Sequence, residues 1–233
     1  MGFVDDGKLR VFAYPKPSGR RPHTGTIPAR DCWPRAQLSA SEISTAVAKV
    51  KLVSPEYYVI GYDDLNDLIS QISVLLNTQT WTSGTPPVVH HHPCLEVLEI
   101  DSHANPHRCG GICPGNISHF ADSVDSLNDC DELRIYLSGC NTGCRDSSHG
   151  ACLAELLADL IPSARRQKQY RCTVYGTKGY QTGANATKDS VTTRQSSHST
   201  IIYDYSQDQP VRPGTISTLT DPTYRGFRGA NSA

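Results

Sequence analysis

Apolar positions recur along this chain in two periods, and the way they alternate predicts its architecture. In "SASEISTAVAKV" (39–50) Ile43, Val47 and Val50 follow at helical spacing, and Ser39 with Glu42 forms a capping-box pattern at the start. "EYYVIGY" (56–62) is aromatic and β-branched and reads as a strand. "DDLNDLISQISVLL" (63–76) returns to helical spacing, with Leu65, Leu68, Ile69, Ile72 and Leu76 on one face and Asp63 or Asp64 as the cap. "CLEVLEIDSH" suits a strand ending near Asp101, "ISHFADSVDSLNDC" a helix, and "ELRIYLSGC" the next strand. In "SSHGACLAELLADLIPS" Leu153, Leu156, Leu157, Leu160 and Ile161 hold i, i+3, i+4, i+7 and i+8, the clearest amphipathic helix in the chain. "YRCTVYGTKG" is a further strand and "STIIYDY" (199–205) a later one.

This alternation predicts an α/β fold, a mainly parallel sheet flanked by helices on both faces. Right-handed crossovers bring successive strand ends to one edge of such a sheet. Residues 1–36 are rich in Pro, Gly and Arg without a sustained period, and are expected to be an irregular arm. Residues 37–205 form the α/β domain, with a polar loop over 77–94 that carries "HHH" at 90–92. Residues 206–233 are expected to be an irregular tail.

Charge and cysteine usage then narrow the function. The formal charge is −1, so no basic footprint points to nucleic acid or an anionic membrane surface. No apolar run approaches the roughly 18 residues of a membrane span, and "MGFVDDGKLRVF" has neither the shape of a signal peptide nor a myristoylation pattern. A cytoplasmic protein is expected. The chain has 9 cysteines, an odd number, and with no mark of secretion reduced thiols are favoured over a disulfide framework. Cys94, Cys152 and Cys172 fall on apolar faces and read as core; Cys109, Cys113 and Cys144 fall in loops as candidate exposed thiols. The sequons at Asn116 and Asn185 are too short to carry weight.

In open α/β sheets the working residues gather beyond the carboxyl ends of the strands. "LEIDSHA" delivers His103 there, and "IYLSGCNTG" delivers Cys140. An imidazole beside a thiol can take its proton or stabilise the thiolate, and can protonate a leaving amine. Gly139 and Gly143 beside the cysteine let a substrate backbone approach and leave amide N–H groups to face an oxyanion.

"LEIDSHA … ELRIYLSGCNTG … VYGTKG" resembles the caspase-like cysteine peptidases, the group that includes caspases, gingipains, clostripain and separase- and CHAT-type proteases. The resemblance spans roughly residues 56–180 and keeps the order His before Cys. It implies a caspase-hemoglobinase-like fold, a Cys140–His103 dyad, a protein or peptide substrate and no cofactor. It also implies oxyanion donors at the N–H groups of Cys140 and Ala104, and leaves open self-processing and homo-oligomer formation. Gly139, Tyr175, Gly176, Thr177 and Lys178 are the remaining candidate substrate-binding residues, and 181–198 a loop over the site. Where the family has Gly after the His, this chain has Ala104.

Two rivals stand beside this reading. His103, His107, Cys109 and Cys113 form H-x3-H-x-C-x3-C, ligand types that suit zinc, with Cys144 and His149 nearby; a non-catalytic binding module carrying that metal is the alternative function. An amidotransferase-like hydrolase would instead draw its histidine from later in the chain, from His149 or His198, but no helix follows "GCNTG" at once.

Overall fold

The computed structural model describes residues 8–17, 25–28, 38–78, 80–83, 88–91, 94–127, 132–143, 151–164, 171–177, 203–204, 209–210 and 224–227. In chain order its elements are β1 (Leu9–Pro15), α1 (Ala40–Val53), β2 (Tyr58–Tyr62), α2 (Leu65–Thr78), β3 (Thr80–Ser83), β4 (Val88–His91) and β5 (Leu95–Asp101). There follow β6 (Ala104–Asn105), β7 (Arg108–Cys109), α3 (Ile117–Leu127), β8 (Glu132–Ser138), α4 (Leu153–Ala164), β9 (Arg171–Thr177), β10 (Tyr203–Asp204), β11 (Gln209–Pro210) and β12 (Tyr224–Phe227).

The main sheet has the order β12-β9-β8-β5-β1-β2. Five of its strands are parallel and β12 is antiparallel to β9. The α/β expectation holds, and so do helices on both faces. Leu68, Ile72, Phe120, Val124, Leu157 and Ile161 of α2, α3 and α4 pack against Val11, Leu98, Ile135 and Val174 on one face. On the other, Ala46 and Val50 of α1 pack against Phe12, Val97 and Tyr136. Ser39 caps α1 in both senses, its side chain accepting from the Glu42 N–H while the Glu42 carboxylate accepts from the Ser39 N–H.

Three expectations of irregular structure are corrected. The expected arm contributes β1, an interior strand between the edge strand β2 and β5, with Leu9, Val11, Phe12 and Ala13 fully buried. Within the expected loop at 77–94, β3 and β4 form an antiparallel hairpin that includes His90 and His91. The expected tail supplies the edge strand β12, and also β11, which pairs with β10. For β1 and β12 a distant strand, and for β3–β4 and β10–β11 a near one, supplies hydrogen bonds that local composition does not reveal.

The cysteines also depart from expectation. Cys94, just before β5, and Cys113, in the connection to α3, are disulfide-bonded, so the reduced-thiol premise fails for both. Cys109, Cys140, Cys152 and Cys172 are free thiols. Cys152 and Cys172 are wholly buried, as read from their apolar faces. Among the described residues no helix is long and apolar enough to cross a membrane.

Candidate functional site

Strands β5 and β8 are hydrogen-bonded parallel neighbours whose register ends with Asp101 opposite Ser138. The Ser102 N–H donates to the Ser138 carbonyl at 3.2 Å, carrying the ladder one step further. His103 and Cys140 each lie two residues beyond that last registered pair, at the carboxyl end of adjacent strands. Parallel strands run about 4.8 Å apart, so the sheet brings the imidazole-bearing and thiol-bearing segments to one rim. His103 is exposed and Cys140 partly exposed.

The turn carrying Cys140 is held from below. Thr142 Oγ1 donates to the Leu137 carbonyl (2.7 Å) and accepts from the Thr177 N–H (2.8 Å). The Gly143 N–H donates to the Thr177 carbonyl (3.0 Å), and Gly143 and Gly176 lie so close that a Cβ on either would overlap the backbone of the other. Gly176 and Thr177 are therefore buried braces for this turn. Tyr175 is partly buried and stacks on Tyr136, with ring centroids 4.6 Å apart. Lys178, Cys144, His149, His198 and the 181–198 segment lie outside the described residues.

Gly139 has a steric reason. A Cβ there would collide with the Ala104 methyl group and the Ser102 carbonyl oxygen, so the segment after β5 crosses directly over the residue preceding Cys140. Ala104 opens the β6–β7 hairpin, paired with Cys109. The Cys109 N–H donates to the Ile112 carbonyl (3.1 Å) and not across the hairpin. In a hairpin with a two-residue turn, the pair one step out from the closing pair is non-hydrogen-bonded. The Ala104 N–H thus points away from Cys109. Ala104 does so without a positive φ, which among non-glycine residues described occurs at Asn141 alone (φ 60°).

Two groups at this rim were not singled out by sequence reasoning. Glu42 Oε1 sits 3.8 Å from His103 Nε2, beyond hydrogen-bond range, while its other oxygen completes the α1 cap. Hydrogen bonds from the Ser39 backbone and side chain, and then the nearby imidazole, hold the Glu42 carboxyl below its usual range. Asp101, 5% exposed, ends β5 directly before Ser102 and His103. Burial, reinforced by the Glu42 charge and partly offset by Lys49, pushes its carboxyl up to about 7. The capping box that marked the start of α1 was also the signal for Glu42. Asp101 had no signal beyond an acidic residue at a strand end.

The zinc alternative is overturned by where its four residues go. Cys113 is in a disulfide and cannot ligate as a thiolate. Cys109 is 1% exposed, bonded to Ser102 Oγ at 3.4 Å, and burial pushes its thiol up to about 12. His107 sits at the hairpin tip, where its N–H donates to Asn105 Oδ1, and His103 faces Glu42. Among the described residues no group of three His, Cys, Asp or Glu side chains is placed to hold a metal. Cys109 and Cys113, expected as exposed oxidisable thiols, are buried. Asn116 is buried too, its amide bonded to the Gly111 and Pro28 carbonyls and the Cys113 N–H, so its sequon is closed to a glycan.

No known family model, curated protein or solved structure matches this chain.

Proposed function

We propose that this chain is a caspase-like cysteine endopeptidase acting through Cys140 and His103. The observation that carries the reading is the shared rim: two neighbouring parallel strands end in register, and each delivers one member of the pair two residues later. Cys140 Sγ gives its proton to His103 and bonds to the scissile carbonyl carbon; the carbonyl electrons move to oxygen. Collapse breaks the C–N bond, and His103 passes its proton to the departing amine, leaving a thioester. Water, deprotonated by His103, then hydrolyses that thioester and restores the thiol. The N–H groups of Cys140 and Ala104 are the proposed oxyanion donors, and the orientation of Ala104 away from Cys109 supports its part. The partner is a protein or peptide substrate, with no role for nucleic acid or membrane.

The disulfide-bonded Cys94 and Cys113 favour an oxidising compartment over the cytoplasm expected from the sequence. The function is tested by incubating the full chain with a random octapeptide library and reading new termini by mass spectrometry. Cleavage by the wild type that disappears in both Cys140→Ala and His103→Ala, with melting temperatures retained, is the expected result. Cleavage that survives either substitution overturns the assignment.

A further inference from the structure

We infer that Asn141 is a substrate-binding residue, its side-chain Oδ1 accepting a backbone N–H from the peptide held at Cys140. The inference rests on the peptidase reading and adds to it a contact that the dyad does not supply. Asn141 directly follows Cys140, is 4% exposed, and its Oδ1 is buried with no hydrogen-bond partner. It is also the non-glycine residue held at φ 60°.

Asparagine visits the left-handed region more readily than most residues because its short side chain can bond to nearby backbone. Here the Oδ1 makes no such bond, so that local explanation does not apply. The turn is fixed by other groups: Thr142 Oγ1 ties it to Leu137 and Thr177, and Gly143 ties it to Thr177. Buried acceptors in folded proteins are almost always paired, so an unpaired one directly after the proposed nucleophile calls for a partner that the free chain does not supply. An acceptor of this kind needs a donor. The donor that every peptide substrate brings to the residue beside its nucleophile is a backbone N–H.

The test uses the full chain and the octapeptide that the wild type cuts fastest in a Cys140-dependent way, remade with a single N-methyl group at each peptide bond in turn. In the wild type, one N-methylated position should raise KM about tenfold, the loss of one hydrogen bond to a buried acceptor. Asn141→Gly keeps the left-handed backbone and removes the carboxamide. It should raise KM for the unmodified peptide by a similar factor, leave kcat within about threefold, and lose sensitivity to that one N-methyl group, a chemical double-mutant cycle. Its melting temperature should hold or rise. An Asn141→Gly protein with wild-type KM, or with the N-methyl sensitivity intact, overturns the inference while leaving the peptidase reading in place. Absence of any Cys140-dependent cleavage overturns both.

Discussion

The two faces of the sheet are built to different rules. Against α2, α3 and α4 the strands present Leu9, Val11, Ala13, Leu98, Ile100, Leu133, Ile135, Leu137 and Val174, an unbroken apolar surface. Against α1 the same strands bury Glu96, Glu99, Asp101, Ser138 and Thr173 among Phe12, Val97 and Tyr136. Near the amino ends of the strands Glu96 answers Lys8 (3.1 Å), Arg10 (2.7 Å) and Arg134 (3.6 Å). Toward the carboxyl ends Glu99 accepts from Ser138 (2.8 Å), and Asp101 follows under the His103 rim. Burying polar groups costs stability that an apolar side chain would not. A fold that carries this cost on one face and avoids it on the other has placed its stability on the three-helix side. The α1 side carries the buried carboxyl groups that lead to the proposed His103–Cys140 rim.

The largest effect that separates the faces is expected from Phe120→Ala. Phe120 is wholly buried between α3 and the sheet, remote in sequence from both His103 and Cys140. Truncation should cost about 3–5 kcal/mol by lost burial and the cavity left behind, read by chemical denaturation. Activity per folded molecule should be unchanged below the melting transition. A selective loss of turnover would show that the three-helix face also sets the geometry of the rim.

A second, smaller effect should be confined to the α1 face and depend on pH. Burial holds the folded Asp101 carboxyl up at about 7, against an ordinary 3.8. Between those values the folded protein keeps a proton that the unfolded chain releases. Stability therefore falls as pH rises through that window and is level above it. The full penalty is at most about 4 kcal/mol. Asp101→Asn removes the ionisation and keeps the shape. It should raise the melting temperature at pH 8 and leave it near the wild-type value at pH 4.5, where the native carboxyl is already neutral. An equal shift at both values would mean that Asp101 is not the buried acid.

The same contrast explains what could be read in advance. The apolar face announces itself in the sequence as periodicity: the Leu153–Ile161 run and the Leu65–Leu76 run are helices because one side of each had to be buried. The parallel order and the strand ends at His103 and Cys140 followed from that alternation. Strand β1 was missed because its two sides are both buried, which leaves no alternation, and because Pro, Gly and Arg surround it. Strand β12 was missed because four residues at a sheet edge are defined by their partner β9. The placement of His103 and Cys140 at one rim was legible, since each follows a strand marked in the sequence. The burial of Asp101 and the backbone conformation of Asn141, set by the turn, were not. That Cys94 and Cys113 are in disulfides was hidden for a related reason: an odd cysteine count says nothing about which sulfurs are bonded.

The smallest effect joins the two rules at one residue. Glu42 contributes one oxygen to the α1 cap, bonded to the Ser39 N–H at 2.7 Å, and turns the other toward His103. Ser39→Ala removes the side chain that accepts from the Glu42 N–H and should cost about 1 kcal/mol at pH 7. Because the Glu42 carboxyl is held below its usual range, its stabilisation is present above the unfolded value near 4.3 and is lost as pH falls through the lower folded one. The cost of Ser39→Ala should therefore shrink as pH is lowered through the folded value and the reciprocal half of the box is neutralised. Denaturation midpoints at pH 7 and at the acid end of that titration measure it. If the cost is the same at both, the two halves of the box act independently, and the carboxylate facing His103 is free to serve the imidazole without weakening the helix that carries it.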